Sequence, residues 1–243
     1  MYTKELKLFK ECHNPNKQTV FGVSQNTQHI YQAQILKDLI NKTIITRTFE
    51  DVTGRSISKM IHHTCKFNES EYNLYKKIVE EFYQMGKAYS TGNARKDALL
   101  QIIAQLNMLI RCCSASHLFK ECAGNGVSEK FKKVFSLIKE WQNEHVVIGC
   151  RFKKTVYSYA HHLKKEFPNR KVFVITGEDL TIKQRKKMID EMKKHKGAIL
   201  VCTQQSLSSS ISINFIDKII ISENGWNSAM LKQFYARFIR LIS

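Results

Sequence analysis

The chain has 243 residues, 43% of them hydrophobic and only two of them proline, so it can bury a real core and is not a disordered segment. Its 39 Lys and Arg against 21 Asp and Glu leave a formal charge of +18, which points to a polyanionic partner, DNA or another nucleic acid before a membrane surface. No apolar run approaches the roughly 18 residues that span a bilayer, no signal-peptide core opens the chain, and seven scattered cysteines read as reduced thiols of a cytoplasmic protein.

Three regions follow in chain order. Residues 1–30 are expected to form an irregular lead-in, with Pro15, Gly22 and no sustained period. Residues 31–128 read as mainly helical. Tyr72, Tyr75, Ile78, Val79 and Phe82 recur at helical spacing over 69–85, and Leu99, Ile102, Ile103, Leu106, Leu109 and Ile110 do so over 99–113. A glycine-bearing loop at 86–93 separates them, and an extended stretch is expected near 57–67.

Residues 129–243 differ. Apolar runs at 145–149, 171–175, 198–202 and 218–221 are β-branched and do not alternate, the pattern of strands buried on both faces. Helical patterns separate the first three runs. The first, 155–167, ends before Pro168; the second, 181–195, opens with Thr181 and Gln184 at capping-box spacing and stops at Gly197. The series predicts an α/β fold, a parallel sheet flanked by helices, with ligands gathering at the carboxyl ends of the strands.

Those strand ends carry suitable groups. Arg151, Lys153, Lys154 and Thr155 follow the first strand and open a helix, where free N–H groups and the helix dipole favour phosphate. On charge alone a solvated cluster reads equally well. Thr176–Gly177 and Thr203–Gln204 end two further strands, and hydroxyls there suit phosphate contacts that ignore base sequence. A lone threonine after a strand is usually a turn residue; three such sites at one edge make the stronger pattern.

From Leu231 the apolar residues Leu231, Phe234, Tyr235, Phe238, Ile239 and Ile242 predict a terminal helix with one buried face. Gln233, Arg237 and Arg240 then form a stripe on the opposite face, behind a Glu-Asn-Gly-Trp-Asn segment ending in Trp226–Asn227. This arrangement resembles the later motifs of the Swi/Snf branch of superfamily-two helicases, in particular phage-type members. Trp226–Asn227 is similar to Trp-Asn-Pro, with Ser228 for proline, and Gln233, Arg237 and Arg240 to motif VI. Val146–Leu163 resembles motif IV, Thr176–Gly177 with Arg185 the segment after it, and Thr203 opens a motif V. Asn68–Tyr75 and Leu106–His117 resemble helical segments of the same branch.

The resemblance implies a RecA-like second lobe of an ATP-dependent DNA helicase or translocase. Arg240 would be the arginine finger, Arg237 its neighbour on phosphate, and Gln233 the group that orients them. Ser210, Ser212, Trp226 and Asn227 would support the ATP site. Arg151, Lys153, Lys154, Thr155, Thr176, Gly177, Thr203 and Gln204 would hold the DNA backbone. Motif V departs from the pattern: anchored on Asp217, Ser210 stands where the last glycine falls and Ser212 where the asparagine does.

No Gly-x4-Gly-Lys-Ser/Thr is present, since Gly86–Lys87 lacks the upstream glycine and the hydroxyl; Asp190–Glu191 sits inside a helical pattern rather than after a strand. ATP and Mg are therefore expected to be held by the full-length protein, with a first lobe as partner, and this chain alone is expected to hydrolyse nothing. Two other readings stay open. One is a non-catalytic nucleic-acid-binding module with a degenerate motor fold. The other is a metal-binding adaptor built on Cys112, Cys113, His117 and Cys122, although adjacent cysteines suit a tetrahedral site poorly and buried thiols are the simpler expectation.

Overall fold

The computed structural model describes residues 16–19, 22–25, 32–44, 51, 54, 58–90, 95–177, 180–207, 213–224 and 227–239. The chain divides into two compact units, residues 1–59 with 92–100 and residues 60–91 with 101–243. The first unit contains a hairpin where an irregular lead-in was expected: β1 (Asn16–Thr19) pairs antiparallel with β2 (Gly22–Gln25). Helix α1 (Ala33–Thr43) follows and buries none of its side chains.

In the second unit, residues 60–68 form neither helix nor strand before α2 (Glu69–Ser90). Helix α3 (Arg95–Ala115) runs on into two short 3₁₀ turns, Ser116–Leu118 and Lys120–Cys122. Contrary to the sequence expectation, Leu100–Cys122 is long and apolar enough to cross a bilayer by length and composition. In the fold its inner side packs instead: Met108, Leu109 and Cys112 join Leu74, Tyr75 and Ile78 of α2 and Cys122 in one cluster.

The remainder alternates as the apolar runs predict. Helix α4 (Glu129–Glu140) leads to β3 (Val146–Cys150), α5 (Lys153–Glu166), β4 (Val172–Ile175), α6 (Ile182–Lys193), β5 (Ile199–Thr203), β6 (Lys218–Ile221) and α7 (Ser228–Tyr235). The four strands form one parallel sheet in the order β4-β5-β3-β6. Every residue of β3 and β5 is buried because helices cover both faces.

The strand period of two sorts the side chains between two cores. Val146, Ile148, Ile199 and Val201 face one layer, with Phe131, Val134 and Ile138 of α4 and Val156, Tyr159 and Leu163 of α5. Phe131 stacks flat on Tyr159 with centroids 3.6 Å apart. Val147, Leu200 and Cys202 face the other layer, with Ile189 and Met192 of α6 and Phe234 of α7. The predicted capping box is present: Gln184 N–H donates to Thr181 Oγ1 at 3.3 Å and Thr181 N–H to Gln184 Oε1 at 2.8 Å.

Helix α7 is shorter than the apolar spacing predicts. It ends at Tyr235, and a tight turn follows in which Arg237 N–H donates to Phe234 O and Phe238 N–H to Tyr235 O. This turn lets Phe238 meet Phe234 edge-on at 5.2 Å, while the Arg237 carbonyl accepts Ile213 N–H at 3.0 Å. A long-range backbone bond and a ring contact hold this turn.

Candidate nucleic-acid and nucleotide interface

The carboxyl ends of β3, β4, β5 and β6 bring the sequence-derived residues to one edge of the sheet. Arg151 leaves β3, and α5 starts two residues later at Lys153. Thr176 and Gly177 leave β4, and Gln204 opens a 3₁₀ turn, Gln204–Leu207, directly after Thr203. Arg185 of α6 ties two of these loops together, donating from Nη1 to Ser206 O at 2.9 Å and from Nη2 to Gly177 O at 2.8 Å. Its planar fork spans both carbonyls at once, which an ammonium could not do.

At the centre lies Glu223, whose side chain is 4% exposed at the end of β6. It accepts hydrogen bonds from the Ser114 hydroxyl of α3 and, at 2.6 Å, from Arg151 N–H. Thr155 donates to the same carboxylate. Burial pushes its carboxyl above the usual range, and the bonds from Ser114 and Arg151 pull the other way. Its backbone carbonyl accepts Gln204 Nε2 at 2.5 Å, and Gln204 also reaches Gly149 O at 3.4 Å. One buried acid thus joins α3, the β3–α5 loop and the turn after β5. Beside it, Ser222 meets Tyr159 Oη at 3.2 Å and accepts Lys130 Nζ on its carbonyl at 3.1 Å.

This network sorts the candidate contacts. Thr155, Thr176, Thr203 and Gln204 are buried. Thr155 and Gln204 bind Glu223, and the Thr176 hydroxyl lies 3.4 Å from Tyr157 Oη. Gly177 and Lys154 are exposed, and Arg151 and Lys153 half-buried. Arg151 also donates from Nη2 to Asn107 of α3 at 3.1 Å.

Asn227 is the N-cap of α7, accepting Ala229 N–H at 2.9 Å and Met230 N–H at 3.2 Å on Oδ1. Gln233 is exposed on α7 and Arg237 half-buried in the turn beyond it. Ser210, Ser212, Trp226 and Arg240 lie outside the described residues. Helix α7 is seated by Gly149 in β3, where a Cβ would lie 2.6 Å from the Phe234 ring. Glycine there lets the ring rest on the strand backbone and fixes how Gln233 projects.

The metal-adaptor reading finds no geometry. Among the described residues no group of three or more His, Cys, Asp or Glu could hold an ion. Burial pushes the Cys112 thiol up to about 12, and His117 spends both ring nitrogens on protein: Nδ1 accepts Ser128 N–H at 3.2 Å and Nε2 lies 2.8 Å from Ser158 Oγ.

Residues 129–241 match the family model of the helicase conserved C-terminal domain. That stretch, a little under half of the chain, is what is similar to the helicase C-terminal domain. Its fold is similar to the Sulfolobus solfataricus SWI2/SNF2 ATPase C-terminal domain, at 19% identity over 68% of this chain and 72% of that one, with a TM-score of 0.57. The C-terminal part of the Fun30 ATPase domain matches at 15% identity over 74% of this chain and 79% of that one, TM-score 0.55. The S. solfataricus SWI2/SNF2 ATPase core in complex with dsDNA matches at 18% identity over 85% of this chain, TM-score 0.63, and the chain spans 45% of that core. No curated protein sequence matches significantly.

Sequence reasoning named the Glu-Asn-Gly-Trp-Asn segment but gave Glu223 no role. The available signal was an acid two residues after an apolar strand end, where a carboxylate that turns inward needs hydrogen-bond donors. Arg170 was missed as well. Its guanidinium donates to the carbonyls of Gly197, Ile138, Trp141 and Glu144 at 2.6–3.1 Å, closing the carboxyl end of α4 onto the loop before β5.

Proposed function

We propose that this chain is the second RecA-like lobe of an ATP-dependent DNA translocase of Swi/Snf type, acting with a first lobe that carries the phosphate loop. The observation that supports this reading best is the sheet edge itself. The β3–α5 junction, with Arg151 before the helix and Lys153 and Lys154 in its first turn, is pinned by Glu223 to the turn after β5 and to the strand that leads towards the Asn227-capped helix of Gln233. A shift at the nucleotide side would therefore be felt at the DNA side through short, buried bonds.

In this reading the DNA backbone meets the N-terminus of α5, with Lys153, Lys154, Arg151 and the Gly177 backbone as contacts. Thr155, Thr176, Thr203 and Gln204 position those groups from within. Gln233 and Arg237 stand four residues apart, Gln233 exposed on α7 and Arg237 half-buried in the turn beyond it, and an amide and a guanidinium there suit phosphate oxygens. ATP with Mg would supply the free energy of the cycle, and Arg240 would present its guanidinium to the transferring phosphate. Duplex translocation follows the resemblance more closely than strand separation. The phage-type branch and a cytoplasmic location stay part of the proposal on the sequence pattern alone.

The test joins this lobe to one bearing a phosphate loop. Arg240→Ala is expected to lower DNA-stimulated ATP turnover about a thousand-fold while duplex affinity stays unchanged. The chain alone is expected to bind duplex DNA in a salt-sensitive way and to hydrolyse no ATP. Turnover indifferent to Arg240, with DNA binding intact, would favour the non-catalytic module that the serine-rich motif V also suits.

A further inference from the structure

The exposed cations at the sheet edge are few, yet the chain carries +18. A second concentration lies on α5. Lys154, Tyr157, His161 and Lys164 follow one another at steps of three, four and three residues, so they stand in one row about 15 Å long. All four are exposed, Tyr157 at 49%. Lys154, His161, Lys164 and the adjacent Lys165 enter no ion pair among the described residues, whereas Lys194, at the C-cap of α6, is held by Glu191 at 2.9 Å.

Between this row and the edge strand β4 lies an open cavity of about 650 Å³, lined by Tyr157, Ala160, His161, Lys164, Lys165 and Val174. Ala160 and Val174 give it an apolar floor, and Tyr157 a ring at one wall. The Tyr157 hydroxyl lies 3.4 Å from Thr176 Oγ1, which ties the ring to the end of β4. A duplex presents phosphates but no free base face, so an aromatic wall beside an apolar floor would add little to its binding. An unpaired strand presents both phosphates and bases that can stack.

We propose that this face of α5 is a second nucleic-acid contact that holds an unpaired strand, one base against Tyr157 in the trough beside β4 and its phosphates on Lys154, His161, Lys164 and Lys165. The inference rests on the reading that the lobe binds nucleic acid, and it adds a strand type and a surface to it. The row begins at Lys154, so a strand leaving the sheet edge could run directly onto it.

Fluorescence anisotropy of the chain with a twelve-residue thymidine oligonucleotide and with a twelve-base-pair duplex tests this. Tyr157→Ala is expected to weaken the thymidine oligonucleotide about ten-fold and leave the duplex within two-fold, and Tyr157→Phe to bind both as the parent does. Replacing Lys164 and Lys165 by Gln is expected to lower the single-strand salt slope by about 1.4. Single-strand affinity indifferent to Tyr157→Ala, or an equal loss on both nucleic acids, overturns the proposal. Loss of binding to phosphatidylserine vesicles alone would overturn it in favour of a membrane surface. Duplex binding with no Tyr157 dependence on thymidine would sink this inference and spare the translocase reading; thymidine binding without duplex binding would do the reverse.

Discussion

The helical region and the sheet lobe of the second unit solve the same problem differently. In the sheet lobe both faces of a four-stranded sheet are covered, and large side chains such as Phe131, Tyr159 and Phe234 are wholly enclosed. In the helical region the enclosed cluster is small, and Met60, Ile61, Tyr72, Tyr83 and Ile103 stay exposed, Tyr83 at 65%. Ala115 at the end of α3 joins the core of the sheet lobe, and beside it the helices are fastened by polar bonds. Glu71 of α2 accepts Ser116 Oγ at 2.5 Å and Glu129 N–H at 3.1 Å, capping α4; Ser114 binds Glu223; His117 binds Ser128 and Ser158. A lobe built on burial is held through its own core, while a region joined by buried polar bonds depends on every partner being in the right protonation state.

The largest effect expected from breaking this contrast is at Arg170, where the sheet lobe itself relies on a polar clamp. Arg170→Ala leaves carbonyls of four residues without their donor and is expected to cost about 3 kcal/mol in urea unfolding. Arg170→Lys should recover only part, because one ammonium cannot span the four acceptors. A loss confined to the α2–α3 region would show that the clamp belongs to the helical side instead.

Arg170 also shows where sequence stops being informative. The strands were legible because runs such as Val146–Ile148 and Ile199–Val201 are apolar without alternation, and the start of α6 because Thr181 and Gln184 stand three apart. These are local patterns. Arg170 binds carbonyls 26 to 32 residues away, and Ser114 reaches Glu223 across 109 positions; no periodicity encodes such a meeting. The candidate edge was legible as a set of strand ends, but not which hydroxyls turn inward, since that follows from Glu223 being buried beside Thr155. The end of α7 was misread because its spacing continues past Tyr235 while the backbone turns to meet Ile213.

The polar joint predicts a pH dependence of intermediate size. Burial, with His162 beside it, holds the His117 imidazole down to about 4, below its ordinary 6.5. The native state needs the neutral ring, because Nδ1 accepts Ser128 N–H. As pH falls from 6.5 towards 4 the unfolded chain takes up a proton that the folded chain refuses, so stability is lost across that window and levels off below it. With the ring partly exposed, the loss is expected to be on the order of 2 kcal/mol in urea titrations between pH 7.5 and 4. His117→Gln should flatten this slope; an unchanged slope would assign it to other groups.

The smallest effect expected is the one closest to the candidate nucleotide side. Gly149→Ala puts a methyl group 2.6 Å from the Phe234 ring in a fully enclosed site, so the ring and α7 must move outward by a fraction of an ångström. The cost to stability is expected to be only about 1 kcal/mol, because a ring edge yields more easily than backbone. The displacement, however, carries Gln233 and the turn holding Arg237 with it. Amide exchange is therefore expected to quicken at 228–238 and to stay unchanged at Ser128 and Glu129, where the polar joint caps α4. Exchange that quickens equally in both places would mean that the two halves of the molecule are not held by separate means, and that the contrast between buried core and polar joint is one of appearance alone.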